Sequence, residues 1–241
     1  MPSLSIIIPA YNEEKRLPST LERILEFLAV TDFSPVEVLV VDDGSRDNTA
    51  AVVERYAKKH PEIRLVSNPG NRGKGYAVRN GMMTATGEWR LSTDADLSSP
   101  IGELEKLMSA AKQRDALVAI GSRALDRSLV GVHQSAFREW SGRFFNLVMR
   151  IAVRLPFRDT QCGFKLFHAT AATRIFPRQQ LDGFSFDVED LFIARKLRLK
   201  AVEVPVVWNN VEGTKVSLWH GLRSFSDLVT IRLNQMKGKY R

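Results

Sequence analysis

Two acidic turns carry the residues best suited to chemistry in this sequence. Asp94 and Asp96 follow one short apolar run, and Asp42 and Asp43 follow another. Side chains at positions i and i+2 at a strand end point the same way, so Asp94 and Asp96 can face one ligand together. Paired carboxylates are hard oxygen ligands that suit Mg²⁺ or Mn²⁺, with other ligands supplied by a diphosphate and water. An isolated Asp-x-Asp is more often a solvated turn, but the second acidic turn favours a binding site.

Apolar runs and helical patterns alternate along the first half of the chain and predict the elements that hold these turns. Strands are predicted at residues 4–8, 36–41, 63–66, 87–91 and 116–120, and helices at 18–29, 47–59, 76–84 and 100–114. Strict β-α alternation is typical of an α/β fold with a mainly parallel, Rossmann-like sheet flanked by helices. Ligands of such sheets bind at the carboxyl ends of the strands, so both acidic turns are expected at one edge.

The second half of the chain is predicted to be less regular. It comprises a long helix at 134–153, a loop from 159 that enters a short strand ending at 167, a helix at 187–197, a strand at 201–208 and a final helix. We find no internal repeat, low-complexity tract or linker, and therefore predict a single domain over residues 1–241. Its predicted parts are 1–123, 124–215 and a C-terminal amphipathic helix at 216–241.

Composition narrows the classes of partner. Lys and Arg number 35 against 27 Asp and Glu, which gives a net charge of +8 and favours an anionic partner. The basic residues are dispersed among acidic turns, and no nucleic-acid-binding module is recognisable, so we expect no nucleic-acid partner. The single cysteine, Cys162, excludes an internal disulfide, fits a reducing compartment and is expected to be a packing residue. Because no signal peptide and no apolar run of about 18 residues is present, we expect a cytoplasmic location.

A glycine-rich loop precedes the helix predicted at 76–84. Gly73-x-Gly75 resembles the start of a phosphate-binding loop, but a dinucleotide fingerprint needs a third glycine where Val78 stands. The phosphate loop of ATPases needs Gly-Lys followed by Ser or Thr, whereas Lys74 precedes Gly75. A Rossmann dehydrogenase and a P-loop ATPase are therefore disfavoured.

Seven short motifs, taken in order and spacing, resemble the family 2 glycosyltransferases of GT-A fold. They are Ile8–Glu14 (IPAYNEE), Val41–Ser45 (VDDGS), Asn71–Gly75 (NRGKG), Asp94–Asp96 (DAD), Gly121–Arg123 (GSR), Asp159–Phe167 (DTQCGFKLF) and Phe186–Glu189 (FDVE). The later motifs most resemble the dolichyl-phosphate β-glucosyltransferase branch, with dolichyl-phosphate mannosyltransferases as near relatives. The resemblance spans residues 5–208, most of the chain.

The resemblance implies an inverting, metal-dependent transfer of a hexose to dolichyl or polyprenyl phosphate, with UDP-glucose as the expected donor. The positions that match the family's nucleotide-sugar site are Pro9, Tyr11, Glu13, Asp42, Asp43, Lys74 and Asp94. Asp94 and Asp96 match its motif for Mg²⁺ or Mn²⁺, with Asp96 as the expected direct ligand. Mannosyltransferase relatives often have Gln where this chain has Ser98, so the coordination here can differ. GDP-mannose as donor and a soluble hydroxyl acceptor remain alternatives, as does a catalytically inactive sugar-nucleotide sensor.

The chemistry of the acceptor decides which further residues are needed. Lys74 or Arg72 can neutralise the leaving diphosphate in any such transfer. A hydroxyl acceptor needs a carboxylate as general base, for which Asp187 is the candidate. A lipid phosphate is already an anion and needs cations to hold it, preferably the planar fork of arginine. The candidate cations are Arg123, Arg138, Arg143 and Lys165. In this case Asp187 would orient cations or sugar hydroxyls, and Asp96, Asp187, Arg123 and Lys165 form the predicted catalytic set.

Two of these assignments have simpler alternatives. Arg138 and Arg143 could form the solvated face of a helix, and Lys165 could be an exposed strand residue.

The final helix carries an apolar stripe with basic residues beside it. The stripe is formed by Leu218, Leu222, Phe225, Val229 and Leu233. Such a stripe either packs on its own domain or lies peripherally on a membrane surface, here the cytoplasmic face.

Overall fold

The computed structural model of the chain describes residues 1–132, 147, 153–210 and 218–241. The strands are β1 (Leu4–Ala10), β2 (Val36–Asp42), β3 (Ile63–Ser67), β4 (Trp89–Ser92), β5 (Val118–Ser122), β6 (Val130–Val132), β7 (Lys165–His168), β8 (Ala201–Pro205) and β9 (Trp208–Asn209). The helices are α1 (Leu17–Leu28), α2 (Thr49–Ala57), α3 (Lys74–Thr84), α4 (Leu104–Gln113), α5 (Ala169–Ile175), α6 (Phe186–Lys196) and α7 (Leu218–Met236). The helix predicted at 134–153 lies almost wholly outside the described residues, as do Arg138 and Arg143.

Seven strands form one sheet in the order β3-β2-β1-β4-β7-β5-β8. β1 pairs in parallel with β2 and with β4, so the carboxyl ends of these three strands meet at one edge. β7 is antiparallel and lies between β4 and β5. The predicted mainly parallel sheet is therefore confirmed, and β7 is its exception. Its register places Lys165 opposite Ser92, directly beside the turn that carries Asp94 and Asp96.

Both faces of the sheet are covered by helices, as expected for a parallel sheet. Successive strand residues point to opposite faces, so Ile6 and Ile8 pack with α1 and α4 while Ile7 packs with α3 and α6. The two apolar clusters that result hold the strand ends in fixed relation to one another. The residues at the sheet edge are consequently held by strands that are packed on both faces.

The prediction of a single strand at 201–208 is wrong. The chain forms β8 up to Pro205 and then β9, which pairs with β6 in a separate two-stranded sheet. Proline cannot donate a ladder hydrogen bond, and the Val207 amide instead donates to the Glu103 carboxylate at 3.1 Å. The short helix α5 was not predicted, because its seven residues follow β7 without a separate apolar pattern.

The final helix has the predicted position, but Val229 and Leu233 of the predicted stripe do not lie on its packed face, and the side chains of Leu218, Leu222 and Phe225 lie outside the described ones. Leu228 and Ile231 are the buried residues that join the cluster beneath α6. Val229 and Leu233 of the stripe are 60% and 43% exposed, and Met236, one turn further, is 76% exposed. The alternative that Val229 and Leu233 pack on the domain is therefore wrong. No helix in the described part of the chain is long and apolar enough to cross a membrane.

Candidate active site

The turn after β4 presents Asp94 and Asp96. The strand ends at Ser92, so hydrogen bonds within the turn, rather than strand geometry, position the two carboxylates. The Leu97 amide donates to the Asp94 carbonyl at 3.1 Å, and the Ser98 amide donates to Asp96 Oδ1 at 2.9 Å. Such an Asx turn fixes the Asp96 side chain locally. The two acids thus lie on one compact turn at the edge of the sheet.

Lys74 contacts this turn from the first residue of α3. Its Nζ lies 2.6 Å from Asp94 Oδ1. Burial disfavours both charges, but their mutual attraction outweighs it, so the pKa of Lys74 lies above its ordinary value and the pKa of Asp94 below. The predicted cation and a predicted metal ligand are therefore adjacent, and both are ionised.

The N-terminus of α3 is held in place by residues 179–183. Gly73 has φ of +110°, and a Cβ there would lie 2.4 Å from the carbonyl oxygen of Asp182. The same carbonyl accepts a hydrogen bond from the Gly75 amide at 2.8 Å. Glycine is required at position 73 because a side chain would meet both a strained backbone conformation and a steric clash. The glycines that resembled a phosphate loop thus allow close packing around Lys74.

Lys165 and Asp187 form an ion pair in the protein interior. Their side chains are 3% and 8% exposed. The Lys165 ammonium also donates to the Cys162 carbonyl at 2.5 Å. Burial raises the pKa of Asp187, and the charges of Lys165 and Lys74 offset this only partly. The alternative of an exposed strand position for Lys165 is wrong, because β7 is an interior strand; contact between Lys165 and an acceptor phosphate stays a prediction.

Arg123 is held by Asp159, a residue to which the sequence pattern assigned no role. Arg123 Nε lies 2.7 Å from Asp159 Oδ2, and Nη2 donates to Oδ1 at 2.9 Å. The guanidinium also lies 5.5 Å from the centre of the Trp208 ring. The Arg123 side chain remains 34% exposed, whereas Asp159 is buried. This arrangement fixes the orientation of a cation whose outer surface can still meet an anion.

Removal of the Asp159 charge is expected to destabilise the protein in a pH-dependent way. Burial raises the pKa of Asp159, but Arg123 outweighs burial and lowers the pKa to about 2. A carboxyl with a depressed folded-state pKa stabilises the protein above its unfolded value and loses that effect as the pH falls. The stability difference between wild type and Asp159→Asn should shrink by about 2 kcal/mol between about pH 5 and pH 2. Urea unfolding at each pH measures it, and a pH-independent difference would contradict the assignment.

Asp43 and Asp42 have different surroundings. The Asp43 carboxylate accepts three hydrogen bonds, from Asn68 Nδ2 and from the amides of Arg72 and Gly73, at 2.7–3.0 Å. Asp43 therefore ties the end of β2 to the glycine-rich loop. Asp42 Oδ1 accepts the Ser45 amide at 3.1 Å. Of these two predicted nucleotide-sugar-binding acids, Asp43 thus has a clear structural role, and contact of Asp42 with the nucleotide sugar stays a prediction.

The loop after β1 is joined to the same turn. The Asn12 amide donates to Ser45 Oγ at 2.9 Å, and the Glu13 amide donates to Thr49 Oγ1 at 2.8 Å. Tyr11 lies within this loop and is partly exposed, and Pro9 belongs to β1 opposite Val41. The predicted nucleotide-side residues are therefore brought together at one end of the sheet, next to the acidic turn after β4.

Gly163 is a site residue whose role only the structure shows. A Cβ at this position would lie 2.4 Å from Asp94 Oδ2 and 2.8 Å from Asp94 Cγ. The sequence contained Gly163 in the motif after Asp159, but nothing in the spacing indicated which side chain it faces. The backbone of the loop before β7 thus forms a wall that sets the position of the Asp94 carboxylate.

Gly163→Ala should therefore reduce activity much more than stability. The added methyl group meets the end of a side chain, which can move, so we expect a stability loss below about 1 kcal/mol. The displaced carboxylate should lower kcat/KM about tenfold to a hundredfold. Gly102→Ala is the matched control, since nothing lies within 4 Å of a Cβ there. Unchanged kcat/KM in Gly163→Ala, or an equal loss in Gly102→Ala, would contradict this role.

The side chains of the site can hold a metal ion only if a bound ligand supplies further oxygen atoms. No group of three or more His, Cys, Asp and Glu side chains within the described ranges could hold a metal ion. Asp94 and Asp96 supply two hard oxygen ligands, which suit Mg²⁺ or Mn²⁺ when a diphosphate and water complete the coordination.

Residues 5–176 match the family model described as glycosyl transferase family 2. The chain belongs to this family. It is 42% identical over 252 residues to a dolichyl-phosphate beta-glucosyltransferase of Drosophila melanogaster, over 99% of this chain and 77% of that protein. The protein of that name from Homo sapiens is 36% identical, over 99% of this chain and 77% of that protein. The one from Saccharomyces cerevisiae is 35% identical, over 99% of this chain and 76% of that protein. The predicted family and the prediction of a glycosyltransferase are confirmed.

Solved structures of other glycosyltransferases share the fold. Glucosyl-3-phosphoglycerate synthase from Mycobacterium tuberculosis, in complex with Mn²⁺, UDP-glucose and phosphoglyceric acid, has a TM-score of 0.69 at 16% identity, covering 95% of this chain and 79% of that one. A mannosyltransferase from Pyrobaculum calidifontis, in complex with GDP-Man and Mn²⁺, has a TM-score of 0.63 at 22% identity, covering 95% and 64%. At these identities the likeness concerns the fold, and the predicted GT-A fold is confirmed.

Proposed function

We propose that this family 2 glycosyltransferase moves glucose from UDP-glucose to dolichyl or polyprenyl phosphate with inversion at the anomeric carbon. The observation that carries the proposal is the pairing of an acidic turn with fixed cations at one sheet edge. Asp94 and Asp96 lie beside Lys74, and the charge of Arg123 also acts on Asp94. The near full-length similarity to proteins named dolichyl-phosphate beta-glucosyltransferase supports the sugar and the acceptor.

On the donor side, the residues are arranged to receive a diphosphate. Asp94 and Asp96 would hold Mg²⁺ or Mn²⁺, which supplies Lewis-acid stabilisation of the leaving diphosphate when bound. Lys74 would exchange part of its contact with Asp94 for a diphosphate oxygen and stabilise the charge that develops there. The turn at Asp42 and the loop containing Tyr11 would receive the nucleoside. The choice of UDP over GDP is supported by the resemblance to the dolichyl-phosphate β-glucosyltransferase branch and by the structural neighbour solved with UDP-glucose.

On the acceptor side, a phosphate needs to be held but not deprotonated. Arg123 is preoriented by Asp159 and keeps an exposed surface, which suits an anionic nucleophile. Asp187 lies in the interior and already pairs with Lys165, so its proposed role is to position that lysine and the loop before β7. Both features favour a lipid phosphate over a hydroxyl acceptor.

One observation favours a second candidate, transfer to a soluble hydroxyl. Burial raises the pKa of Asp187, and such a shift suits a general base. Polyprenol, which lacks the phosphate, separates the two candidates. Glucosylation of polyprenol or of a soluble sugar, lost in Asp187→Asn, would favour the second one.

We further propose that α7 rests on the cytoplasmic face of a membrane. Val229, Leu233 and Met236 form its exposed apolar stripe, and Lys237, Lys239 and Arg241 follow as exposed basic residues. Apolar contact and attraction to anionic lipids act together in such a surface. Val229→Ser with Leu233→Ser should reduce co-flotation with anionic vesicles severalfold, whereas Val30→Ser, at a valine elsewhere that is even more exposed, should not. Equal flotation of both variants would contradict the proposal.

The test of the proposed function is a transfer assay in detergent. The purified protein is incubated with polyprenyl phosphate and Mg²⁺ or Mn²⁺, and with radiolabelled UDP-glucose or GDP-mannose. Lipid-linked glucose from UDP-glucose alone, abolished by a chelator, supports donor, acceptor and metal together. Transfer from GDP-mannose would overturn the donor, and metal-dependent UDP binding without a lipid product would overturn the acceptor.

A further inference from the structure

The last residues of the chain contact the loop that holds the N-terminus of α3. The Tyr240 hydroxyl is buried and donates a hydrogen bond to Glu189 Oε1. Two further contacts join the same segments: Arg178 Nε donates to the Arg241 carbonyl at 2.9 Å, and Lys239 Nζ donates to Gln180 Oε1 at 3.4 Å. The C-terminal residues therefore pack on the loop through side-chain and main-chain bonds at several points.

Glu189 transmits this contact to the loop backbone. Its side chain is fully buried in α6, and its second oxygen accepts the amides of Gln180 and Leu181 at 2.9 and 2.8 Å. The Glu189 carboxylate thus holds the loop with one oxygen and Tyr240 with the other. A buried carboxylate depends on such donors, because each lost hydrogen bond leaves charge without compensation.

The loop in turn fixes the first turn of α3. Gln179 Nε2 donates to the Gly75 carbonyl at 2.9 Å, and the Asp182 carbonyl accepts the Gly75 amide at 2.8 Å. The Asp182 carboxylate pairs with Arg79 on the next turn at 2.7 Å. A Cβ on Gly75 would lie 2.7 Å from the Leu181 carbonyl oxygen, so the loop and the helix cannot move independently by much. Between these contacts stands Lys74, whose ammonium meets Asp94.

We infer that Tyr240 is a positioning residue for the donor site, acting through Glu189 and residues 179–183 on Lys74. The inference rests on the proposed function in one respect, that Lys74 meets the donor diphosphate. Tyr240 touches no reacting group. Its hydroxyl completes the hydrogen bonding of Glu189, which keeps the loop pressed against Gly73 and Gly75. A small displacement of that loop would move Lys74 relative to the diphosphate and leave the acceptor side at Arg123 unchanged.

Tyr240→Phe tests this inference because it removes the hydroxyl and retains the ring that packs edge-on against Phe192, at 5.8 Å. We expect the KM for UDP-glucose and the Kd for UDP to rise about fivefold to tenfold, less than the full effect of one charged hydrogen bond, because the loss reaches Lys74 only through Glu189 and the loop. The KM for polyprenyl phosphate should stay within about twofold. A general loss of folded protein would instead lower kcat and leave both KM values unchanged.

The matched control is Tyr56→Phe. That hydroxyl also bonds a carboxylate, Glu22, at 2.9 Å, but it joins α1 to α2 at the surface. It should change neither KM. Glu189→Gln is a second variant, since it keeps an oxygen for the loop amides and weakens the bond from Tyr240; it should raise the donor KM as well.

The outcomes separate this inference from the proposed function. A wild-type protein that neither binds UDP nor transfers glucose would overturn the proposed function. If the wild-type protein transfers glucose, and the folded variants Tyr240→Phe and Glu189→Gln have the same KM for UDP-glucose as the wild type, the inference is overturned. The proposed function is then unaffected. If Tyr240→Phe does not fold, Glu189→Gln decides: a raised donor KM with an unchanged acceptor KM supports the inference, and an unchanged donor KM overturns it.

Discussion

Asp96→Asn is expected to reduce glucosyl transfer on the order of a thousandfold while leaving the fold intact. The amide keeps the size of the side chain and the oxygen that accepts the Ser98 amide, so the turn after β4 should persist. The variant loses the negative charge that would hold the divalent cation against the diphosphate. Steady-state transfer from UDP-glucose to polyprenyl phosphate, at several concentrations of Mn²⁺, measures the loss.

A control with the same local geometry is available. Asp126 also accepts the amide two residues ahead, from Ser128 at 3.0 Å, but it lies exposed on a separate turn. Asp126→Asn should retain full activity. If Asp96→Asn keeps more than about a tenth of wild-type activity at every metal concentration, Asp96 does not hold the ion, and the metal assignment of this turn is wrong.

Lys165→Met is expected to lower the free energy of unfolding by about 3–5 kcal/mol. The substitution leaves Asp187 buried without its cation, and the charges that remain nearby do not fully replace it. Removing one partner of a buried ion pair costs more than replacing both, because the remaining charge stays desolvated. Chemical denaturation of purified protein measures the change, and a loss below about 1 kcal/mol would show that the pair contributes little.

The double variant Lys165→Met, Asp187→Leu is the control for this experiment. It removes both charges and should recover most of the lost stability. Because the double variant should be folded, a loss of its activity reports on the position of the loop before β7. That loop has lost the Lys165 ammonium, which donates to the Cys162 carbonyl. A double variant that is less stable than Lys165→Met would contradict the account of the pair.

The parts of the fold that local pattern determines could be predicted from the sequence. β1, β2 and the helix α1 between them follow from apolar periodicity, and the position of both acidic turns follows from β-α alternation. The antiparallel insertion of β7 could not be predicted, because its pairing with β4 and β5 joins segments about 75 and 45 residues apart. The burial of Lys165 follows from that insertion and was missed with it.

The site was predictable in its residue types and less so in their roles. Asp94 and Lys74 were expected near one another, but the close approach of Gly163 to Asp94 depends on two segments that meet only in the folded state. The same holds for Asp159, which binds Arg123, and for Asp43, whose three amide and side-chain donors make it structural. On α7, the regular stripe that includes Val229 and Leu233 predicted an amphipathic helix but could not tell which face the domain covers.

Inverting transfer of glucose onto a lipid phosphate is tested most directly by the anomeric linkage of the product. The protein is incubated with UDP-glucose, polyprenyl phosphate and Mn²⁺, and the lipid product is analysed by proton and phosphorus NMR. The account predicts a β-linked glucosyl phosphate, since the donor linkage is α and the phosphate attacks from the opposite face. An α-linked product, or glucose joined to a hydroxyl group instead of a phosphate, would contradict it.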